Sequence, residues 1–245
     1  TKFGGRMPRA ETLDVIMLLH SLGVVLFPIA LSLQLPIFIY LLVLEKAEKL
    51  RGHMFAHGMR LLPYYLTTFL FNFVMSQLTM GALWIAAAAA QIELFSLTSP
   101  LLLIVFCVGW GLLLVGFAFV LSTVIATPRA ASVIGYVVAL FGSLIAVTVC
   151  AIMYGDLPLV GNGLRLPWYL YIIPQFTMTR SVYLMNYRCS HWRECYSSLP
   201  SPNEELALSL LALYLTAAFY FVLGLALDSG LARLATCRVR RVKDD

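Results

Sequence analysis

Residues Leu94 to Pro128 read LFSLTSPLLLIVFCVGWGLLLVGFAFVLSTVIATP, with no Asp, Glu, Lys or Arg among them. A helix that crosses the hydrocarbon of a bilayer needs about 20 apolar residues, and this run exceeds that. Four more runs share the property: Val15 to Leu44, Leu61 to Ile92, Ala130 to Gly155 and Leu206 to Leu227. One charge at the centre of a span costs about 3 kcal/mol even on the lenient insertion scale. Five charge-free runs are therefore five expected spans. Unpaired backbone cannot face lipid, so the spans must be helices. The expected fold is an all-α polytopic membrane bundle, a single transmembrane domain over residues 1–245.

Composition agrees with a lipid environment. Of the 245 residues 61% are hydrophobic and 12% charged, against roughly a quarter charged in soluble domains, and the mean hydropathy is +0.88. The net charge of +5 resides mostly in residues that flank the spans, which points to anionic lipid headgroups as partner rather than nucleic acid. No G-x-x-x-x-G-K-[ST] loop occurs, so ATP is not expected to bind within these residues. Neither a catalytic group nor a cofactor or metal site is expected here. The chain opens on Thr1 without an apolar targeting stretch, and is expected to be a segment of a longer protein.

Prolines should begin, bend or end helices. Pro28, Pro36, Pro63 and Pro100 fall inside the runs, and Pro28 is expected to kink the first. Five crossings put the chain ends on opposite sides of the membrane. With the C-terminus inside, Lys46, Lys49, Arg51, Arg60, Arg129, Arg233, Arg238, Arg240, Arg241 and Lys243 are cytoplasmic, ten of the 17 basic residues. The remaining seven, Lys2, Arg6, Arg9, Arg165, Arg180, Arg188 and Arg193, are outside or lumenal with the N-terminus. The positive-inside rule selects this orientation.

The segment 156–205 is then external. Trp168, Tyr169 and Tyr171 suit the headgroup level, where an aromatic ring has one apolar and one polar side. Short or re-entrant helices are expected over Leu166 to Met185, and Arg180 with three prolines argues against a sixth span. Cys189 and Cys195 lie close together in this external segment, where oxidation is allowed, and form a possible disulfide. Cys107, Cys150 and Cys237 are expected to stay reduced.

Between the first two runs lies a charged stretch, Glu45-Lys46-Ala47-Glu48-Lys49-Leu50-Arg51-Gly52-His53-Met54-Phe55-Ala56-His57-Gly58. Glu45 with Lys49 is a favourable i,i+4 pair and Glu48 with Arg51 an i,i+3 pair, while Gly58 can end the helix. A short cytoplasmic helix over 45–58 is expected, either a solvated turn between spans or a helix on which another protein docks. His53 and His57 stand at i,i+4, but without further ligands they are not expected to hold a metal.

Here the sequence resembles the A subfamily of ABC transporters, whose membrane domain is of the ABC-2 type. The family pattern matches at Glu45, Lys46, Lys49, Leu50, Met54 and Gly58, and departs at Ala47 and Gly52. Leu121-Ser122-Thr123, Arg129-Ala130, Ile173-Pro174-Gln175-Phe176 with Arg180, and Leu223 to Asp228 extend the likeness over most of the chain. The resemblance implies an ATP-driven exporter of lipids or other amphipathic molecules. It implies that residues 45–58, including Arg51, act as a coupling helix that transmits motion of a nucleotide-binding domain to the spans. ATP and Mg would belong to that domain, in the same chain or a separate one. A second transmembrane half would complete the transporter.

Asn72, Ser76 and Thr79 make one face of the second run, suited either to hydrogen bonds between helices or to lining a substrate path. An intramembrane acyltransferase built on His20, His53 or His57 lacks a second catalytic group, and a membrane scaffold without transport is the remaining alternative. The absence of carboxylates at span depth argues against an ion-coupled relay.

Overall fold

The structure is a computed structural model and describes residues 25–48, 61–89, 93–150, 166–191, 195–201 and 204–244. Every regular element among them is helical. In chain order they are α1 (Val25–Ala47), α2 (Leu61–Ala89), α3 (Glu93–Leu97), α4 (Pro100–Val124), α5 (Pro128–Thr148), a 3₁₀ helix (Trp168–Ile172), α6 (Pro174–His191) and α7 (Glu205–Asp244). α1, α2, α4, α5 and the stretch Glu205–Asp228 of α7 are long and apolar enough to cross a membrane.

The run from Leu94 to Pro128 is divided, and prolines divide it. Ser99 and Thr127 each precede a proline and take extended backbone, with ψ of 126° and 140°, because the ring that follows disfavours the helical region. Pro100 and Pro128 then sit at the first helical positions, where a missing N–H costs nothing. The span proper is Pro100–Val124, and α3 is a separate turn of helix before it. In α1 the described helix begins at Val25, the carbonyl that Pro28 deprives lies outside the described residues, and an interruption falls at Leu33. Pro36 explains it, since its ring nitrogen cannot donate to the carbonyl of Ser32. α7 continues well beyond its apolar stretch to Asp244.

α4 is the hub. It packs on α7 most extensively and also on α1, α2 and α6, while α5 covers the far side of α1 and touches α6. Trp110, Leu102 and Leu113 of α4 are wholly buried. Lipid is as apolar as leucine, so packing rather than hydrophobic expulsion must hold such helices together, and small residues permit close approach. On the α4–α7 contact, a Cβ at Gly109 would collide with Leu213, and one at Gly116 would lie 3.2 Å from the Ala217 carbonyl oxygen. On the α1–α5 contact, a Cβ at Gly135 would fall 2.7 Å from Cα of Pro36. The hydroxyls of Ser32 and Ser143, both fully buried, join the same two helices at 2.9 Å. α2 is the least covered span, with Leu66, Leu70, Phe71, Val74 and Leu78 among its exposed side chains.

Candidate functional site

α1 runs toward the end of the bundle at which α2 and α5 begin and α4 stops. At this end the helix α1 closes at Ala47, with Glu48 as its cap, donating its N–H to the Leu44 carbonyl at 2.9 Å. Glu45 and Lys46 thus lie on the last turn of the span itself. The other residues expected in the coupling helix, Lys49, Leu50, Arg51, Met54 and Gly58, lie outside the described residues, as do His20, His53 and His57.

Glu45 and Lys46 tie α1 to two different helices. The Tyr64 hydroxyl on the first turns of α2 donates to Glu45 Oε2 at 2.7 Å. Lys46 Nζ donates to the carbonyls of Ser122 at 3.4 Å and Thr123 at 3.3 Å. A helix leaves its last four carbonyls without internal partners, and a cation there also meets the negative end of the helix dipole. Lys46 therefore caps α4 from outside, while Ile125 N–H satisfies the Leu121 carbonyl at 3.2 Å. Ser122 and Thr123 turn their hydroxyls back onto Phe119 and Val120 carbonyls, both at 2.7 Å. Tyr65, Gly224 and Asp228 complete the lining of the small cleft around Lys46, so four spans meet at this junction.

A second polar cluster lies at the opposite end, where α7 begins. Arg180, only 3% exposed, donates from Nε to Glu205 Oε1 at 2.9 Å and from Nη2 to Oε2 at 2.8 Å. The same Oε1 accepts the Leu166 N–H at 3.3 Å and the Tyr171 hydroxyl at 3.4 Å. Burial is the largest influence on Arg180 and works against its charge, but the hydrogen bond to Glu205 and the attraction of the Glu205 carboxylate together outweigh it, so the guanidinium pKa is raised. Burial first, and Glu205 second, push the Tyr171 phenol up, which keeps it a donor. The two-pronged geometry is the strong form of an Arg–carboxylate pair. By contrast Arg188 and Glu204, at 3.3 Å and with both side chains more than a third exposed, form a pair worth little.

Cys189 and Cys195 are joined by a disulfide that ties the end of α6 to the stretch after it. From that stretch the Tyr196 carbonyl accepts the Ser99 N–H at 2.7 Å, and Arg188 lies 4.2 Å above the Tyr196 ring. Cys107 and Cys150 are free thiols. The expected polar face of α2 divides. Asn72 and Ser76 are buried, Thr79 is exposed, and both Asn72 and Thr79 bond to carbonyls of their own helix. The bond that crosses from α2 to α4 comes from a neighbour, Gln77, whose Nε2 donates to the Cys107 carbonyl at 3.2 Å.

A family of ABC-2 transporter proteins matches residues 17–226, most of the chain and all five spans. The chain belongs to the ABC-2 transporter family. It is 31% identical over 225 residues to ABC transporter A family member 7 of Dictyostelium discoideum, which covers 92% of this chain and 25% of that protein. ABC transporter A family member 9 of the same organism is 29% identical over 230 residues, with the same shares. ABC transporter A family member 8 of Arabidopsis thaliana is 26% identical over 180 residues, 72% of this chain and 19% of the relative. The chain thus spans about a quarter of the length of its first two relatives. It is the membrane domain of an A-type ABC transporter, a multi-pass membrane protein, and no nucleotide-binding domain is found within it. The Lys46 junction and the Arg180–Glu205 cluster are two polar centres among the described residues of this ABC-2 domain.

Of the residues in these centres, the sequence reading singles out Glu45, Lys46 and Arg180 but misses Tyr64, the partner of Glu45, and Glu205, the partner of Arg180. The acid nearest the head of the last apolar run, Glu205, preceded by Glu204, was the available signal for the second cluster.

Proposed function

We propose that this chain is the membrane half of an ATP-driven exporter of lipids or similar amphipathic molecules, with the Lys46 end in the cytoplasm. The observation that carries the proposal is the junction itself. The connection 49–60 leaves α1 directly after Lys46, and Lys46 and Glu45 hold the end of α1 to α4 and α2. A push on that connection would be delivered to three spans at once. Lys49, Leu50, Arg51, Met54 and Gly58 would meet the nucleotide-binding domain, where ATP and Mg belong, and a second transmembrane half would face this one. The disulfide between Cys189 and Cys195 supports the orientation, since such bonds persist outside the reducing cytosol. Asn72 and Ser76, on the thinly held α2, would face a substrate once that span moves away from α4.

The test is reconstitution of the intact transporter in vesicles that hold a fluorescent phospholipid. ATP with Mg should drive the lipid between leaflets. Lys46→Met should leave ATP hydrolysis within about twofold and reduce lipid movement about tenfold, the signature of lost coupling. Lipid movement without ATP, or none at all, favours the scaffold alternative. Labelling of cysteines placed between 46 and 58 from outside intact cells would reverse the orientation and remove the coupling role.

A further inference from the structure

The 3₁₀ helix and α6 make a compact unit beside α7, and its polar ties to α7 extend along four turns of that helix. Glu205 takes Arg180, Tyr171 and Leu166. One turn on, the fully buried hydroxyls of Ser181 and Ser209 meet at 3.1 Å. Further along, Ala212 packs in the apolar cluster of Leu166, Tyr171 and Phe176. At the last point of contact the Tyr220 hydroxyl donates to the Ile172 carbonyl at 2.8 Å. From Glu205 to Tyr220 this footprint covers about 22 Å at 1.5 Å per residue. A single contact lets two bodies pivot, whereas contacts spread over such a length fix their relative rotation. α6 also touches α5 and α4, but its buried ion pair and its hydroxyl pair go to α7.

α7 is itself one helix of 40 residues, about 60 Å long, against about 30 Å of hydrocarbon. It extends past the Lys46 end of the bundle without a break among the described residues. We infer that Arg180 and Glu205 are a positioning pair for transport. They make the 3₁₀–α6 unit ride on α7 as one rigid body, so that displacement applied to the far end of α7 arrives at the opposite membrane face. This goes beyond the coupling role of Lys46 and rests on the exporter reading only for the motion it explains. It supplies a second line of transmission that does not pass through residues 45–58.

Two measurements on the intact transporter test it. Ser181→Cys with Ser209→Cys places two thiols where two hydroxyls now touch, and mild oxidation should close them into a disulfide. If α6 rides on α7, the oxidised protein keeps ATP-driven lipid movement within about twofold of the reduced one. A loss on oxidation that a reductant restores overturns the proposal. Spin labels on the exposed Trp168→Cys and Leu215→Cys, with the free cysteines replaced, should report one narrow distance that nucleotide does not change. A distance from Trp168→Cys to Leu78→Cys on α2 should change. Arg180→Lys should keep the first distance narrow and Arg180→Gln should broaden it. A first distance that shifts with ATP, or stays narrow in Arg180→Gln, overturns the pair's role even if no lipid is moved. Absence of lipid movement in both redox states, with the distances as expected, counts against the exporter reading alone.

Discussion

The two ends of the bundle are held by opposite kinds of contact. At the Glu205 end a buried arginine and a largely covered carboxylate form a two-pronged pair, supported by a phenol and a backbone N–H on that carboxylate. At the Lys46 end an ammonium reaches two carbonyls at 3.3 and 3.4 Å from partly buried ground, and one phenol reaches one carboxylate. The first arrangement resists relative motion because every partner lost leaves a buried polar group unpaired. The second yields easily, because water can replace each bond. On the coupling role proposed above, force enters at the compliant Lys46 end and is delivered at the stiff Glu205 end, and the difference in burial would supply both from similar residues.

Breaking the stiff end should have the largest effect. Arg180→Gln leaves the largely covered Glu205, 16% exposed, without its cation; breaking a fully buried pair costs about 3–5 kcal/mol, and that is the upper bound here. Thermal unfolding in detergent should show a large fall in Tm, or no folded protein. The paired change Arg180→Met with Glu205→Leu removes both charges and should recover most of the loss, since apolar replacement of a buried pair is often neutral. A double variant no more stable than the single one would mean that the pair is hydrated and the contrast between the ends is wrong.

Between the two ends, α1 and α5 are held by proximity rather than by charge. Gly135→Leu drives a side chain into the Pro36 backbone, which cannot rotate away as a side chain could. A cost of about 1–3 kcal/mol is expected, smaller for Gly135→Ala, read again as Tm. If Gly135→Leu is neutral, α1 already stands off α5 and the middle of the bundle is as compliant as the Lys46 end. A gentler probe of the same contact is Ser143→Ala, which removes one buried hydroxyl pair. Interhelical bonds of this kind average about 0.6 kcal/mol in membranes, so a shift of a degree or two is expected, and a larger one would make the Ser32–Ser143 bond a principal tie.

How far these features were legible in the sequence depends on what kind of partner each residue has. The spans were legible because charge is excluded from lipid residue by residue, without reference to any partner. Pro100 was legible, again for a local reason, as a residue that begins, bends or ends a helix, whereas Pro128, read as the end of the third run, begins the next helix. Pro36 was legible only as one of several prolines inside the runs, because a proline's effect depends on which carbonyl it deprives, and the interruption lies just before it. Arg180 was legible as a charge that argues against a sixth span and as part of the family likeness, and Glu205 only as the edge of a segment. Their pairing depends on how α6 folds back on α7, and nothing in spacing records that. Lys46 was found by its place in a charged cluster, yet its partners are backbone carbonyls, which every residue carries and no sequence can mark. The face of Asn72, Ser76 and Thr79 was drawn at helical spacing, but α4 covers only part of that arc and leaves Thr79 exposed.

The smallest effect on stability should come from the compliant end. Lys46→Met removes a cation from a helix C-terminus, worth about 0.3–1 kcal/mol at a surface site, and the Ser122 and Thr123 carbonyls can turn to water instead. Tm should therefore fall by no more than a few degrees, well short of Arg180→Gln. The same change removes the Lys46 bonds from α1 to the end of α4 and leaves the Tyr64–Glu45 bond to α2 in place. Stability and coupling should thus separate: a protein nearly as stable as the parent that hydrolyses ATP and moves little lipid. Lys46→Arg, which keeps the charge and the reach, should restore movement. A large fall in Tm for Lys46→Met would instead place the Lys46 end among the stiff contacts, and the division of labour between the two ends would be lost.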